Sequence, residues 1–275
     1  MHYALRRYQW HVLVSVFLFR CLGASQWLLS GEYFMPRLTL SSFVNVRPQF
    51  TEVPGYGEPQ TDRFEFGLKT QWQFTGVDLS FYGAQLLANA PTFDLANQAL
   101  IADPYQLVGF SVNKVINNIV LKWDFAYKKD VGQLQMQASI PVIVDSRRVE
   151  SAFGIEYSPK ENQQYTVAFI GQSIVDYDED MVTLGSSGTH QQDKNIAQAM
   201  LAYSDRYFNN DLALNLVALT SGNGELGLLS GQLSYQWNDR WQVEGALMGA
   251  WADTKSQFAP TDGEGLVLIG VTYAH

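Results

Sequence analysis

The stretch Leu229–Trp251, LSGQLSYQWNDRWQVEGALMGAW, decides the fold because two kinds of residue alternate along it. Leucine, glycine and aromatic residues dominate one parity, and small or polar residues the other. Since successive side chains of a strand point to opposite faces, this period of two predicts two strands around the turn Asn238-Asp239-Arg240. Trp237 and Trp241 flank the turn, where aromatic rings suit the boundary between hydrocarbon and water. The hairpin alone fits a membrane barrel and a soluble sandwich or lipocalin-like barrel equally well.

Composition narrows the class of protein. The chain has 275 residues, of which 47% are hydrophobic and 16% charged, and its mean hydropathy is −0.10. It contains no run of about 18 apolar residues, so a transmembrane helix is not expected, whereas barrel strands lack such runs because polar residues interrupt them. A net charge of −9 argues against a nucleic-acid partner. Cys21 is the only cysteine, which excludes a disulfide within the chain.

The first 25 residues allow two interpretations. Two arginines followed by the apolar run Val12–Phe19 resemble a signal peptide, with Ala24 near its cleavage position. The same residues alternate polar and apolar, and Arg20 directly follows the apolar run, which favours a first barrel strand. We predict a single β-barrel domain over residues 1–275, with residues 1–25 as either the first strand or a signal-like segment.

The spacing of turn signals indicates how the strands connect. Short turns flanked by aromatic residues are predicted near residues 35, 75, 117, 160, 209 and 239, and longer loops near residues 22, 54, 96, 138, 184, 222 and 259. These connections fall on opposite rims of a barrel provided that Lys129–Arg148 is an excursion beyond the loop rim and not a spanning strand. The expected fold class is therefore all-β: an antiparallel up-and-down transmembrane β-barrel of roughly 14 strands, with short turns on one rim and long loops on the other.

The last strand is similar to the carboxy-terminal signal of outer-membrane proteins. Val267, Ile269, Val271 and Tyr273 alternate with other residues, and His275 stands where that signal usually ends in phenylalanine. This partial match predicts recognition by the outer-membrane barrel assembly machinery. We therefore expect the bacterial outer membrane as the location and outer-membrane lipid as a partner.

Five segments follow one another in a recognisable order. They are Val44–Pro59 (VNVRPQFTEVPGYGEP), Phe64–Gly83 (FEFGLKTQWQFTGVDLSFYG), a hairpin about Asn117, Arg148–Pro159 (RVESAFGIEYSP) and the Asp176-Tyr177-Asp178 loop. In this order the chain resembles the domain of unknown function 1302 family of Gram-negative outer-membrane proteins, over residues 28–275. Members are usually longer at the amino terminus, so the resemblance also suggests a carboxy-terminal fragment. It implies an outer-membrane barrel and supplies neither a substrate nor catalytic residues.

Charged residues recur on the parity opposite the apolar face, and we predict that they line the lumen. Several charges in a dry core would carry large desolvation costs, so this face must meet water. The candidates are Arg63, Glu65, Lys69, Asp78, Lys122, Asp124, Lys128, Glu150, Glu156 and Glu244. Mixed charges along a water column bias which solutes pass, which favours a pore or transport component for small-molecule solutes. The alternative is a non-conducting structural or accessory barrel, associated with an envelope efflux or lipid-transfer system.

Two loop clusters suggest other chemistry, with less support. Clustered oxygens could bind Ca²⁺ or simply form a solvated acidic loop, and the residues are Asp176, Asp178, Glu179 and Asp180. A hydroxyl beside a histidine could catalyse hydrolysis, and the residues are Ser186, Ser187, His190 and Asp193. Neither cluster has the full spacing of a known site. We therefore expect no metal, no cofactor, no catalytic residue and no enzymatic activity.

Overall fold

The computed structural model of the chain describes residues 12–21, 24–48, 50, 59, 63–89, 92–94, 99–138, 140–185, 188–253 and 261–273. In that part, the chain is almost entirely β-structure, with a 3-10 turn at Gly222–Gly224. No helix among these residues has the length and apolar character needed to cross a membrane.

The described residues form eighteen strands. The first nine are β1 (Val12–Cys21), β2 (Ala24–Phe34), β3 (Leu38–Arg47), β4 (Glu65–Phe74), β5 (Val77–Leu87), β6 (Thr92–Asp94), β7 (Ala99–Ile101), β8 (Pro104–Ile116) and β9 (Ile119–Gln137). The remaining nine are β10 (Ile140–Lys160), β11 (Gln163–Ile174), β12 (Met181–Gly185), β13 (Gly188–Gln191), β14 (Asn195–Tyr207), β15 (Leu212–Ser221), β16 (Leu226–Gln236), β17 (Trp241–Ala252) and β18 (Gly265–Tyr273).

Sixteen of these strands form one sheet in which every pairing is antiparallel, and fourteen of the sixteen lie along one continuous path. The order along this path is β1-β2-β3-β4-β5-β8-β9-β10-β11-β14-β15-β16-β17-β18. This is the order of the strands in the chain, without the small hairpins β6–β7 and β12–β13. This up-and-down order confirms the predicted fold class and its roughly fourteen strands. Across the described residues, β1 and β18 are not paired with each other, so the sheet stands open at that seam.

The two rims of the sheet differ in their connections. The turns after β2, β4, β8, β10, β14 and β16 each span two to four residues. Asn117 and Gly76 adopt positive φ values of 51° and 73°, which lets the chain reverse in so few residues. We call this edge the turn rim. The opposite edge, the loop rim, carries the predicted long connections after β3, β5, β11 and β17, whereas the connections after β1, β9 and β15, also predicted as longer loops, span only two to four residues.

Beyond the loop rim, β9 and β10 continue as a hairpin of their own. Their register runs from Ile140 opposite Gln137 to Ser146 opposite Val131, before a bulge returns both strands to the main sheet. This is the excursion that the sequence predicted within Lys129–Arg148. Because it is β-structured, the excursion extends the sheet and adds no spanning strand.

The connection from β11 to β14 is more ordered than the polar loop expected there. β11 pairs with β10, whereas β12, which follows it, pairs with β9 through Met181 and Gln135. Residues 175–180 must therefore cross the β9–β10 hairpin from one side to the other. Ile174 and Met181, at the two ends of this crossing, are buried.

The two faces of the main sheet differ in chemistry. Directly paired residues share a face, so the register carries each face from strand to strand. One of them, the apolar face, exposes large hydrophobic side chains on nearly every strand, among them Phe66, Leu68, Phe81, Val108, Trp123, Phe153, Phe169, Leu201, Leu216, Leu229, Leu247 and Ile269. Soluble monomers rarely expose apolar patches of this extent.

The sheet has almost no protein core. Among the described residues only four hydrophobic side chains are buried, namely Leu87, Ala102, Ile174 and Met181. A soluble sandwich or lipocalin-like barrel would enclose its apolar face. Here that face stays uncovered by protein, which is the arrangement of a barrel surrounded by hydrocarbon.

Candidate functional site: the polar face of the sheet

The face opposite the apolar one, the polar face, collects most of the predicted lumen residues. We call a line of directly paired residues across successive strands a row. In one row, Lys69 pairs with Tyr82, and the row continues through Gly109 and Ala126 to Glu150. The same register places nine of the ten candidates on this face, namely Glu65, Lys69, Asp78, Lys122, Asp124, Lys128, Glu150, Glu156 and Glu244. Arg63 precedes β4 and is exposed, outside the paired strands. That these residues line a lumen stays a prediction.

Three further charged residues lie on the polar face and were not predicted from the sequence. Glu32 pairs with Ser41, Arg148 with Lys128, and Arg206 with Ala213. Arg148 could have been found, since it lies two residues before Glu150 and so shares its parity. Glu32 and Arg206 lie close to turns, where parity is harder to assign from sequence.

Ion pairs join β9 to β10 across the polar face. Lys122 Nζ lies 2.5 Å from Glu156 Oε1, and Lys128 Nζ lies 2.8 Å from Glu150 Oε1. Arg148 Nη1 approaches the same Glu150 oxygen at 3.9 Å. Lys128 also lies over the ring of Tyr105, 5.8 Å from its centroid. Lys122, Lys128 and Arg148 of these two strands are therefore already matched with carboxylates on the polar face.

The Glu65 carboxylate accepts hydrogen bonds from two neighbouring strands. One carboxylate oxygen accepts a hydrogen bond from Asn45 Nδ2 at 2.8 Å, and the other accepts one from the backbone N–H of Leu87 at 3.1 Å. Asn45 and Leu87 are both buried. This carboxylate fastens β3, β4 and β5 together near the loop rim, a role that single-strand parity could not reveal.

Tyr82 and Gly109 fit together on neighbouring strands. A Cβ atom at Gly109 would lie 2.6 Å from the Tyr82 ring and 2.4 Å from the carbonyl oxygen of Phe125. The Tyr82 hydroxyl donates a hydrogen bond to that same carbonyl at 3.2 Å. The glycine is therefore required for the tyrosine ring to lie over it.

Asp124 lies in a row without any other charge. Its row runs through Gln71, Ser80 and Ser111 on one side and reaches Ala152 on the other. Lys122, two positions away along β9, is engaged with Glu156. Among the described residues, no cation lies within salt-bridge distance of the Asp124 carboxylate.

The polar face divides into two walls. Its charges concentrate on β2–β10, the charged wall. On β11 and β14–β18, the neutral wall, the only charged residues of the polar face in the described strands are Arg206 and Glu244, both close to the turn rim. Asp205 of β14 lies on the apolar face. The other residues of this wall are small, amide or aliphatic, including Gln172, Met200, Asn215, Gln232, Ala246 and Leu268.

Two carboxylates of the acidic loop cluster contact neighbouring groups of the protein. Arg147 donates to both carboxylate oxygens of Asp176, and its Nε lies 2.6 Å from Oδ2. Asp178 Oδ1 accepts from the backbone N–H of Asp180 at 2.9 Å. In the described part of the chain, no group of three or more histidine, cysteine or acidic residues could hold a metal ion. His190 lies in β13, and Ser186 and Ser187 lie outside the described residues.

Comparison with known proteins gives similarity at the level of structure alone. No family model and no curated protein matches the chain. The loop L8 deletion mutant of OmpT, an outer membrane protein of Vibrio cholerae, is 10% identical with a TM-score of 0.47, covering 96% of this chain and 98% of its own. The toluene transporter TodX of Pseudomonas putida is 9% identical with a TM-score of 0.34, covering 87% and 80%. The toluene transporter TbuX of Ralstonia pickettii is 11% identical with a TM-score of 0.35, covering 92% and 82%.

These comparisons correct one expectation and leave another untouched. The similar structures include OmpT of Vibrio cholerae beside the toluene transporters. A likeness this distant decides neither for nor against enzymatic activity, and we withdraw the expectation that the chain is not an enzyme. At these identities and scores the likeness says nothing of what the chain binds. The resemblance to the domain of unknown function 1302 family stays a prediction, since no family model matches.

Proposed function

We propose that this chain forms a barrel in the bacterial outer membrane whose polar face encloses a water-filled path for small solutes. The observation that carries the proposal is the opposition of two faces along the fourteen-strand path of one sheet: charged residues lie on one face and exposed large apolar side chains on the other. Barrel diameter grows with strand number, and about eight strands already give an interior that side chains can fill. Fourteen strands therefore leave space between opposite walls.

The surroundings of the barrel follow from the same proposal. Outer-membrane lipid covers the apolar face, and the assembly machinery of that membrane inserts the chain through its last strand, in which Val267, Ile269 and Val271 remain exposed. Membership of the domain of unknown function 1302 family is part of the proposal and is compatible with this architecture.

A second candidate is a non-conducting accessory barrel. It is favoured by the use of Glu65, Glu150 and Glu156 in contacts between adjacent strands, because groups committed to holding the wall together need no solute. In that case the polar face would be hydrated without serving as a route.

Bilayer conductance separates the two candidates. The full chain is refolded in detergent, its folding is checked by a heat-dependent change in gel mobility, and it is added to a planar bilayer in KCl. A path for small solutes should give stepwise current increases that detergent alone does not produce. A protein that inserts and folds but carries no current or solute flux would replace the first candidate by the second.

A further inference from the structure

We propose that the path prefers small cations to anions, and that Asp124 is the main determinant of this preference. The inference rests on the proposed function, since it concerns what passes along the polar face. It adds the class of solute and the residue that selects it.

The first argument is the charge of the polar face. Its described strands carry seven carboxylates and five basic groups, an excess of two negative charges. The carboxylates are Glu32, Glu65, Asp78, Asp124, Glu150, Glu156 and Glu244, and the basic groups are Lys69, Lys122, Lys128, Arg148 and Arg206. A passage lined by one sign of charge between low-dielectric walls concentrates counter-ions of the other sign.

The second argument is that the basic groups are less available than their number suggests. Lys122 and Lys128 are held by carboxylates at 2.5 Å and 2.8 Å, and Arg148 is drawn toward the second of these pairs. Ammonium groups in such pairs present little net charge to an anion. Only Lys69 and Arg206 are outside such pairs among the basic groups of the described polar face.

The third argument singles out Asp124. Its side chain is exposed, and its direct partners on the two neighbouring strands are small, Ser111 on β8 and Ala152 on β10. It lies on the charged wall, within β9, and its row contains no cation. Carboxylates in such positions select cations in channels.

Reversal potentials test the proposal with the full chain in a planar bilayer under a KCl gradient. The unmodified chain should show a permeability ratio of K⁺ to Cl⁻ above one. Asp124→Asn, which keeps the shape and removes the charge, should move the ratio toward one. Lys122→Gln, which releases Glu156 from its ion pair, should raise it.

A matched control removes the same charge elsewhere. Glu179 is exposed beyond the loop rim, and Glu179→Gln should leave the ratio unchanged. Each variant is first checked for folding by its heat-dependent gel mobility.

The outcomes distinguish this inference from the function beneath it. A folded barrel that does not conduct overturns the proposed function and this inference with it. A conducting barrel that prefers Cl⁻, or prefers neither ion, overturns the inference alone. If Asp124→Asn leaves the ratio where Glu179→Gln leaves it, the assignment of Asp124 is wrong.

Discussion

Single substitutions in this sheet should act according to the face on which the residue lies. Leu68 and Gln71 both belong to β4, but Leu68 is exposed on the apolar face and Gln71 pairs with Ser80 on the polar face. Both lie in the middle part of the strand. Replacing each by arginine therefore compares the same new side chain in two different surroundings.

We expect Leu68→Arg to impair membrane assembly and Gln71→Arg to be tolerated. A cation on the lipid face near mid-bilayer costs about 2–4 kcal/mol, whereas the same cation on a hydrated face keeps its water. Refolding yield in lipid vesicles, followed by heat-dependent gel mobility, measures the difference. Equal yields for the two variants would contradict the assignment of the faces.

Individual residues also mark where sequence reasoning reached its limit. Period-two alternation was enough to place Lys69, Lys122 and Glu150 on one face, because parity is a property of each strand alone. The contact of Glu65 with the Leu87 backbone, and the fit of Tyr82 over Gly109, depend on the register between strands. Register is set by many weak preferences at once, so these roles had no local signal.

At the scale of elements, the short turns were predictable from the sequence and the β12–β13 hairpin was not. A two-residue turn such as Asn117-Asn118 carries its own signal, since residues that tolerate positive φ stand between alternating segments. β12 and β13 lack such a signal, because β12 is completed by pairing with β9, which lies far away in the chain. A polar composition rich in Asp and Gly therefore predicted a loop where short strands form.

The stability of the crossing formed by residues 175–180 should depend on pH. Hydrogen bonding by Arg147, together with its charge, lowers the pKa of Asp176 below the ordinary value of 3.8. A carboxylate whose pKa is lowered by folding stabilises the folded state above its ordinary pKa. That contribution is lost as the pH falls through the pKa of the folded chain.

Amide hydrogen exchange, corrected for its intrinsic pH dependence, measures this effect. The amide of Val175 donates to Arg147 O at 2.8 Å and that of Met136 to Asp180 O at 2.8 Å, so both report on the crossing. Their protection should decrease below about pH 4, given the 3.8 reference, while that of Ala168 within β11 should not. Asp176→Asn should show reduced protection already at neutral pH. Protection independent of both pH and this substitution would refute the role of the pair.

For the whole molecule, the sequence predicted the fold class but not the closure of the sheet into a barrel. The alternation of apolar and polar residues predicted two chemically distinct faces, and the scarcity of buried hydrophobic side chains is consistent with them. The strand number followed from counting turns of both kinds. Closure of the sheet between β1 and β18 would depend on contacts between the first and last strands, for which the sequence offers no local pattern.

Orientation of the whole molecule in the bilayer can be measured at the turn after β16. The Trp237 side chain is 72% exposed and that of Trp241 44%, and the Trp241 ring lies 4.8 Å from the ring of Tyr273. Indole rings prefer the membrane interface, because it offers both an apolar medium and a partner for the N–H group. We therefore expect the turn rim to lie at one interface.

Depth-dependent fluorescence quenching checks this expectation in a variant that keeps only Trp237 and Trp241 of the seven tryptophans. Lipid labels near the headgroups should quench the emission strongly, and labels at the bilayer centre weakly. Emission that no lipid label quenches would mean that these rings do not contact the membrane.

The crossing of the β9–β10 hairpin has a mechanical consequence. Residues 175–180 leave the β10 side of the hairpin, where the Val175 amide donates to Arg147 O, and reach the β9 side, where Met181 pairs with Gln135. One short segment is therefore attached to both edges of the hairpin. Pulling β9 and β10 apart beyond the loop rim would stretch this segment, so the crossing limits how far the two strands can separate there.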